Sequence, residues 1–200
     1  MSRPRGPRNR SKAEVRFEQR AGRSVVVKDF GASPWWVRRL VGRPALRREL
    51  RAYRRLEGVA GVPACVGLEG PDTLVLERAP GESLSALEVG SVGAATFDEL
   101  ERVLREVHAR GVAITDLHRS NVLVGPAGGV HVVDLALALL ARDAARPGLL
   151  VRLLMRLDRF AAARMRARYL GLPEPEPEGV LRPLYRAGRA LKRALPRPAE

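Results

Sequence analysis

The chain has 200 residues, of which 46% are hydrophobic and 29% are charged, and its net charge is +14. This length and hydrophobic content suit one domain, or two small lobes that share a cleft, and exclude a wholly disordered chain. The single cysteine excludes an internal disulfide framework and a cysteine-rich zinc site. Arginine interrupts every apolar run that could span a bilayer, and the basic N-terminus lacks the apolar stretch of a secretory signal, so we expect a cytoplasmic protein.

The N-terminal quarter predicts a basic arm followed by a β-hairpin and a short helix. Residues 1–12 have the composition of a disordered arm. Alternating residues 14–19 and the β-branched run 24–30 predict two strands joined by a turn at Ala21 and Gly22. A helical stretch opens after Pro34 and carries Trp35 and Trp36.

The next segment predicts an amphipathic helix that begins at Pro44, since proline is tolerated in the first turn. Glu49 falls on the apolar face of this helix, so we expect a carboxylate that points inward and needs a partner. The apolar residues of that face are Leu46, Leu50, Tyr53 and Leu56.

The remaining elements follow from apolar runs, turn residues and helical periodicity. Thr96 and Glu99 have the spacing of a capping box, which predicts a helix from there to about Arg110, ended by Gly111. A linker is expected at residues 79–81. Further strands are predicted at 64–68, 73–77, 121–124 and 130–133, and further helices at about 147–169 and 180–194.

The charge of the chain is distributed unevenly. Residues 1–55 carry +13, residues 56–141 carry −7 and residues 142–200 carry +8. The acidic middle suits a cation site, and the basic ends suit an anionic partner, although a generally arginine-rich composition would also explain them. Between residues 13 and 191 the only lysine is Lys28. Because lysine offers a compact charge and arginine a planar fork, Lys28 is a candidate for a specific role.

The most informative segment is Gly111-Val-Ala-Ile-Thr-Asp116-Leu-His-Arg-Ser-Asn121, followed by Val130-His-Val-Val-Asp134. It resembles the catalytic loop and metal-binding segment of protein kinases, in which an Asp precedes an Asn by five residues and a second Asp follows a short strand. The upstream order agrees, because Lys28 ends an apolar strand and Glu49 lies on the next helix. The resemblance covers residues 14–140. It implies an α+β, bilobal protein-kinase-like fold with a small β-rich N-lobe at 13–79 and a reduced, mainly helical C-lobe at 80–200.

The resemblance also implies an ATP- and Mg²⁺-dependent kinase that phosphorylates a hydroxyl group. Asp116 would orient or accept the proton of that hydroxyl, and Asn121 and Asp134 would bind Mg²⁺ through oxygen atoms. Lys28 would hold the α- and β-phosphates and pair with Glu49. Adenine would lie between Val26 and Leu123, with its edge read by main-chain groups near Glu77 and Ala79.

The sequence departs from the kinase pattern at several points. Ile114 and Thr115 replace the His and Arg that precede the catalytic Asp, so control by a phosphorylated activation loop is not expected. No glycine-rich loop precedes Lys28, and the only hairpin glycine, Gly22, is on the wrong side of its strand. A catalytically inactive pseudokinase that binds a nucleotide or a partner therefore remains the alternative. His118 is expected to orient the loop rather than to bind a metal.

The short length and the Asp-Leu-His-x-x-Asn pattern at Asp116 resemble those of small bacterial kinases of the lipopolysaccharide-core (Kdo/heptose) group. RIO and Bud32-type minimal kinases are neighbouring resemblances. The acceptor would be a core sugar or a protein Ser/Thr. Trp35 and Trp36 beside Arg38 and Arg39, and a basic helix at 181–195, would suit peripheral contact with an anionic inner-membrane surface. The alternative is that both tryptophans pack behind the helix that carries Glu49. Nucleic acid is not an expected partner, and the sequence does not specify an oligomeric state.

Overall fold

The computed structural model describes residues 13–126, 128–177, 179 and 182 of the chain. The predicted arm at 1–12 and, apart from Arg182, the predicted helix at 180–194 lie outside the described residues. The described part consists of a four-stranded sheet with a helix against it, followed by a mainly helical part. This is the predicted α+β class, and the lobe bounds 13–79 and 80–200 stay predictions.

The first sheet is antiparallel, and its four strands are those that the β-branched and alternating runs predicted, within one residue at each end. They are β1 (Glu14–Arg20), β2 (Arg23–Asp29), β3 (Cys65–Leu68) and β4 (Thr73–Glu77). The order across the sheet is β1-β2-β4-β3, so the strand that carries Lys28 has a neighbour on both sides.

The register of this sheet decides which side chains face the rest of the protein. Val26 lies opposite Phe17 on one neighbouring strand and opposite Leu76 on the other. Side chains directly opposite each other point to the same face, and residues two apart along a strand share a face as well. Val26 and Lys28 therefore lie on one inner face. The outer face has its own small buried cluster, formed by Val25, Val27 and Val75.

A continuous helical run packs against this sheet. It comprises α1 (Trp35–Val37), a π-helical turn (Arg38–Gly42) and α2 (Arg43–Arg55). Pro44 lies in the first turn of α2, as predicted, but the π-helical turn before it was not predicted. Gly42 packs against Phe30 so closely that a Cβ atom would lie 2.7 Å from the ring, which explains glycine at this point. The predicted apolar face is buried, and so is Glu49, at 2% exposure.

The helical part is built on α3 (Ala94–Ala109) and α4 (Leu149–Leu170). β5 (Glu82–Ser83) precedes α3. Four short strands lie between α3 and α4: β6 (Val112–Ala113), β7 (Val122–Val124), β8 (Val130–Val132) and β9 (Leu139–Leu140). β7 pairs with β5 and β8, and β6 pairs with β9. Asp116 lies on the loop after β6, and Asp134 comes directly after β8.

The capping box predicted at Thr96 and Glu99 is wrong. The helix begins two residues earlier, at Ala94, and Gly93 is its N-cap without a side-chain hydrogen bond. Thr96 is already in the first turn, where its amide donates to the carbonyl of Gly93 at 3.2 Å. Glu99 instead forms a salt bridge with Arg102, at 2.7 Å.

One hydrophobic core joins the sheet and the helical part. It includes Phe30 and Leu74 from the sheet side and Phe97, Val132 and Tyr169 from the helical side. The hydroxyl of Tyr169 donates to the carbonyl of Leu84, which ties α4 to the segment that follows the sheet. Of the helices in the described residues, none has the length and apolar content needed to cross a membrane.

Candidate active site

A cleft of about 280 Å³ opens between the inner face of the sheet and the segments that contain β7 and Asp134. Seven of the predicted nucleotide-binding residues line it: Val26, Lys28, Glu77, Ala79, Asn121, Leu123 and Asp134. Glu49, the eighth, lies behind Lys28 and is buried. Asp116 is on the loop that leads to Asn121. A second cleft between α3 and α4 contains none of the predicted site residues.

Three charged side chains meet inside this cleft. The Nζ atom of Lys28 lies 2.6 Å from Glu49 Oε1 and 2.8 Å from Asp134 Oδ1. The exposed fractions of the three side chains are 13%, 2% and 45%, so one carboxylate is buried and the other faces the cleft. The buried carboxylate of Glu49 on α2 is therefore paired with the Lys28 ammonium, as its burial requires.

The environment shifts the pKa of each member of this triad. Burial alone would lower the pKa of Lys28, but the carboxylates of Glu49 and Asp134 raise it above its usual value. Burial alone would raise the pKa of Asp134, but the Lys28 ammonium lowers it. For Glu49, burial raises the pKa and the Lys28 ammonium opposes that shift. Lys28 and Asp134 are thus both held in their charged forms.

The loop after β6 carries Asp116 and leads to Asn121, which lines the cleft. Asn121 is 7% exposed, and its Nδ2 donates to the carbonyl of Asp116 at 3.1 Å. This hydrogen bond leaves the amide oxygen of Asn121 as an acceptor. The Nε2 atom of His118 lies 3.6 Å from Asp116 Oδ2, and the role of His118 in orienting the loop stays a prediction. Within the described residues, no cluster of His, Cys, Asp and Glu has the arrangement of a protein-only metal site.

Asp134 is held from the backbone as well as from its side chain. Its φ angle is +64°, a left-handed conformation that non-glycine residues adopt rarely. Its N–H donates to the hydroxyl of Tyr53 at 3.2 Å, and its Oδ1 accepts from Ala136 N at 3.4 Å. Such local strain persists only when surrounding contacts hold it. Tyr53 lies one turn after Glu49 on α2, so the same helix contacts both Lys28 and Asp134.

No family model matches the sequence, and no curated protein matches it. The solved structures that share the fold of this chain include two structures of Rio2 kinase from Chaetomium thermophilum. The ADP/Mg²⁺-phosphoaspartate complex of Rio2 superposes with a TM-score of 0.61 at 15% identity. A further crystal structure of Rio2 superposes with a TM-score of 0.63 at 13% identity. Each comparison covers 84% of this chain, which spans only 56–57% of the Rio2 chains.

The chain has a protein-kinase-like fold. This confirms the predicted fold class. The identity is low enough that the likeness shows the fold alone, so the role of each residue must be argued from its geometry. The finer resemblance to lipopolysaccharide-core kinases stays a prediction.

One residue that organises the candidate site was missed from the sequence. Asp158 of α4 is 2% exposed, and its carboxylate accepts from the amides of Ile114 and Thr115 at 2.8 and 2.9 Å. It also lies 3.1 Å from His108 Nε2. Thr115 has a φ angle of +67°, so Asp158 holds a strained residue directly before Asp116. Asp158 is the only acid in α4 and lies on its buried face, the same signal that identified Glu49.

The hairpin turn between β1 and β2 is far from Lys28. Ala21 and Gly22 form a tight turn with positive φ angles at the end of β2 away from Lys28. Lys28 is six positions after Gly22 along β2, a distance of about 20 Å, so this turn does not lie beside Lys28. Residues 1–12, which precede β1, lie outside the described residues.

The part of the cleft beside β1 has lining residues that sequence reasoning also missed. Val15 and Phe17 of β1 face the cleft beside Lys28 and Val26, their partners in the strand register. The guanidinium of Arg78 lies 4.8 Å from the centre of the Phe17 ring. The alternation of β1, combined with its pairing to β2, was the signal that could have identified them.

Proposed function

We propose that this protein is an ATP- and Mg²⁺-dependent kinase that transfers the γ-phosphate of ATP to a hydroxyl group. The observation that carries the proposal is the contact of Lys28 with both Glu49 and Asp134 inside a cleft that also contains Asn121. A lysine between a buried and an exposed carboxylate presents one positive charge to a ligand with several negative charges. The Rio2 complex named above contains ADP and Mg²⁺, which supports a nucleotide as that ligand.

The residues present fit a magnesium ion. Asp134 offers a carboxylate that stays ionised. Asn121 offers its amide oxygen, because its side-chain nitrogen already donates a hydrogen bond to the Asp116 carbonyl. Mg²⁺ prefers such oxygen ligands and completes its shell with water and phosphate oxygens. When bound, the ion would supply positive charge against the phosphate oxygens. Lys28 would hold the α- and β-phosphates beside it.

Asp116 would be the residue that acts on the acceptor. Its carboxylate is 46% exposed, so a hydroxyl group from another molecule can reach it. The acceptor oxygen would attack the γ-phosphorus, the bond from that phosphorus to the bridging oxygen would break, and ADP would leave. Asp116 would orient the hydroxyl and take its proton. Val26 and Leu123 would enclose adenine, and main-chain groups at Glu77 and Ala79 would bind its edge.

The acceptor we propose is a sugar hydroxyl of a lipopolysaccharide core or a protein Ser/Thr. The first option rests on the resemblance of the short length and of the Asp-Leu-His-x-x-Asn pattern at Asp116 to the lipopolysaccharide-core kinases, and the second on the wider kinase-like fold. Incubation with radiolabelled ATP and either isolated core oligosaccharide or a protein substrate separates them. Label that enters only the oligosaccharide supports the first, and label that enters only protein supports the second.

A second candidate function is that of an inactive, nucleotide- or partner-binding module. It is favoured by the absence of a glycine-rich turn at the Lys28 end of the cleft among the described residues. The two candidates differ in their dependence on Asp116. If Asp116→Ala removes acceptor phosphorylation but keeps nucleotide binding, the kinase proposal holds. If every function of the protein in a complemented deletion strain survives this substitution, the protein acts as a binding module.

A thermal-shift titration with ATP, with and without Mg²⁺, tests the nucleotide site itself. A ligand that binds only the folded state raises the melting temperature by mass action. We expect a Mg²⁺-dependent rise that Asp134→Asn loses. Asp143→Asn, which changes an exposed carboxylate in the segment after the site, is the matched control and should keep the rise. The absence of any shift at millimolar Mg-ATP would contradict the proposal.

A further inference from the structure

An exposed apolar patch lies at the start of the helical run that contains α2. Trp35, Trp36, Leu40 and Val41 are 69%, 52%, 68% and 43% exposed. They fall within seven consecutive residues, a helical rise of about 9 Å between the first and the last. The structure therefore excludes the alternative that the two tryptophans pack behind α2. We call these four residues the tryptophan patch.

Arginine surrounds the tryptophan patch and continues along α2. The run 35–55 contains eight arginines and one acid, Glu49, which is buried. Arg38 and Arg43 form salt bridges with Asp72. These two contacts anchor the start of the run to the turn before β4. Arg39 and Arg47 are exposed and form no ion pair within the described part of the chain. The outer surface of the run thus combines a rigid apolar end with free positive charge.

We propose that the tryptophan patch and the adjacent arginines dock the protein on an anionic lipid bilayer surface. Tryptophan is the side chain best suited to the headgroup region, and arginine binds the anionic headgroups beside it. A helix that buries one face in its own protein and presents the other to lipid lies in the plane of the membrane. The exposed Leu40 and Val41 favour lipid over nucleic acid, because phosphate binding gives aliphatic side chains no partner.

The docking face and the candidate active site share one helical run. Val41 precedes Glu49 by eight residues, or about 12 Å of helix, and Glu49 contacts Lys28. Docking of the tryptophan patch would therefore place the cleft near the membrane surface. This proposal does not depend on the kinase activity, because its tests use lipid and no nucleotide.

The two tryptophans of the patch are the only ones in the chain, so intrinsic fluorescence reports on the patch directly. We expect red-shifted emission for the free protein, and a blue shift on vesicles of phosphatidylcholine with phosphatidylglycerol but not on phosphatidylcholine alone. Lipids brominated in their acyl chains should quench the shifted emission. Vesicle binding without a blue shift would mean that other basic segments bind lipid, and it would overturn the proposal, as would no binding.

Substitutions separate the patch from the rest of the surface in vesicle flotation. Leu40→Ser should weaken flotation, and Arg39→Gln should weaken it about fivefold, which corresponds to one arginine at an anionic surface. Raising the salt concentration should reduce the difference made by Arg39→Gln. Val66→Ser, at a valine that is 61% exposed on β3, is the matched control and should leave flotation unchanged.

Two further results would overturn the proposal. Leu149 and Leu150, at the start of α4, are 83% and 61% exposed and lie near Arg152, so they form a competing surface. Loss of flotation in Leu149→Ser with retention in Leu40→Ser would place the docking surface there. A blue shift produced by a single-stranded RNA oligonucleotide but not by anionic vesicles would identify the patch as a nucleic-acid surface. Circular dichroism and thermal melting confirm that each variant is folded.

Discussion

The hydroxyl of Tyr53 accepts a hydrogen bond from the backbone N–H of Asp134 at 3.2 Å. Tyr53 lies on α2 and is 2% exposed, and Asp134 is the cleft carboxylate that contacts Lys28. The same helix therefore holds the site at two points, through the Glu49 carboxylate and through the Tyr53 hydroxyl. A displacement of α2 would release both Lys28 and the strained backbone of Asp134.

Tyr53→Phe tests this contact with the least change in shape. The substitution leaves the N–H of Asp134 without its acceptor, so we expect the free energy of unfolding to fall by about 1–2 kcal/mol. Affinity for Mg-ADP should also fall, because the backbone of Asp134 loses a constraint. Urea unfolding and calorimetric titration measure the two effects.

The control for Tyr53→Phe is Tyr169→Phe. Tyr169 is equally buried and donates its hydroxyl to the Leu84 carbonyl, away from the cleft. The Tyr169→Phe variant should be less stable than the native protein but should bind nucleotide with the same affinity. If both variants bind Mg-ADP like the native protein, the Tyr53 contact serves the fold and not the site.

Lys28→Met should make the stability of the protein strongly dependent on pH. Burial raises the pKa of Glu49 and the Lys28 ammonium opposes this, so its loss raises the folded-state pKa further. Below 4.5, the ordinary pKa of Glu, the carboxyl is protonated in both states and the variant is least affected. As the pH rises through the folded-state pKa, the variant loses stability relative to the native chain. The loss should reach about 3 kcal/mol near neutral pH.

The measurement is urea unfolding of both proteins at a series of pH values from below 4.5 to neutral. The double variant Lys28→Met/Glu49→Gln has no buried carboxyl to titrate on α2, so this pH-dependent loss should largely disappear. A pH dependence that is equal in the single and double variants would show that Glu49 is not its source.

Asp158→Asn should disturb the loop that carries Asp116 without touching the cleft. The substituted amide cannot accept from Ile114 N, Thr115 N and His108 together, so we expect a loss of about 3 kcal/mol in stability. Amide hydrogen exchange at Ile114 and Thr115 should rise more than the global change explains. Asp98→Asn, at an exposed carboxylate paired with Arg166, should cost less than about 1 kcal/mol. Unchanged exchange at residues 114 and 115 would refute the role assigned to Asp158.

Phe17→Ala tests whether the β1 side of the cleft forms part of the proposed adenine site. Phe17 is 63% exposed, so stability should change by no more than about 0.5 kcal/mol. If its ring contacts adenine, the loss of about 1 kcal/mol of aromatic contact weakens ADP binding about fivefold. Leu172→Ala, at a leucine that is 51% exposed elsewhere, is the control. Equal ADP affinity in all three proteins would remove Phe17 from the site.

Local sequence patterns were sufficient for most elements of the fold and for the predicted residues that line the cleft, but not for Val15 and Phe17. A β-branched run, an apolar helix face and a single interior lysine identified β2, α2, Lys28 and Glu49, because periodicity determines which side of an element is apolar. The capping box at Thr96 was wrong because a short motif can also occur inside a helix. The start of this helix, at Ala94, is determined by packing and not by the motif.

Contacts between distant segments depended on how those elements pack. Asp158 lies 44 residues from Ile114 and Tyr53 lies 81 residues from Asp134, and no local pattern links such pairs. The exposure of Trp35 and Trp36 was likewise visible only in the folded chain, since the sequence around an apolar residue does not show whether another element covers it. Periodicity shows which face of an element is apolar, whereas the partner that covers this face, or leaves it bare, is a property of the folded chain.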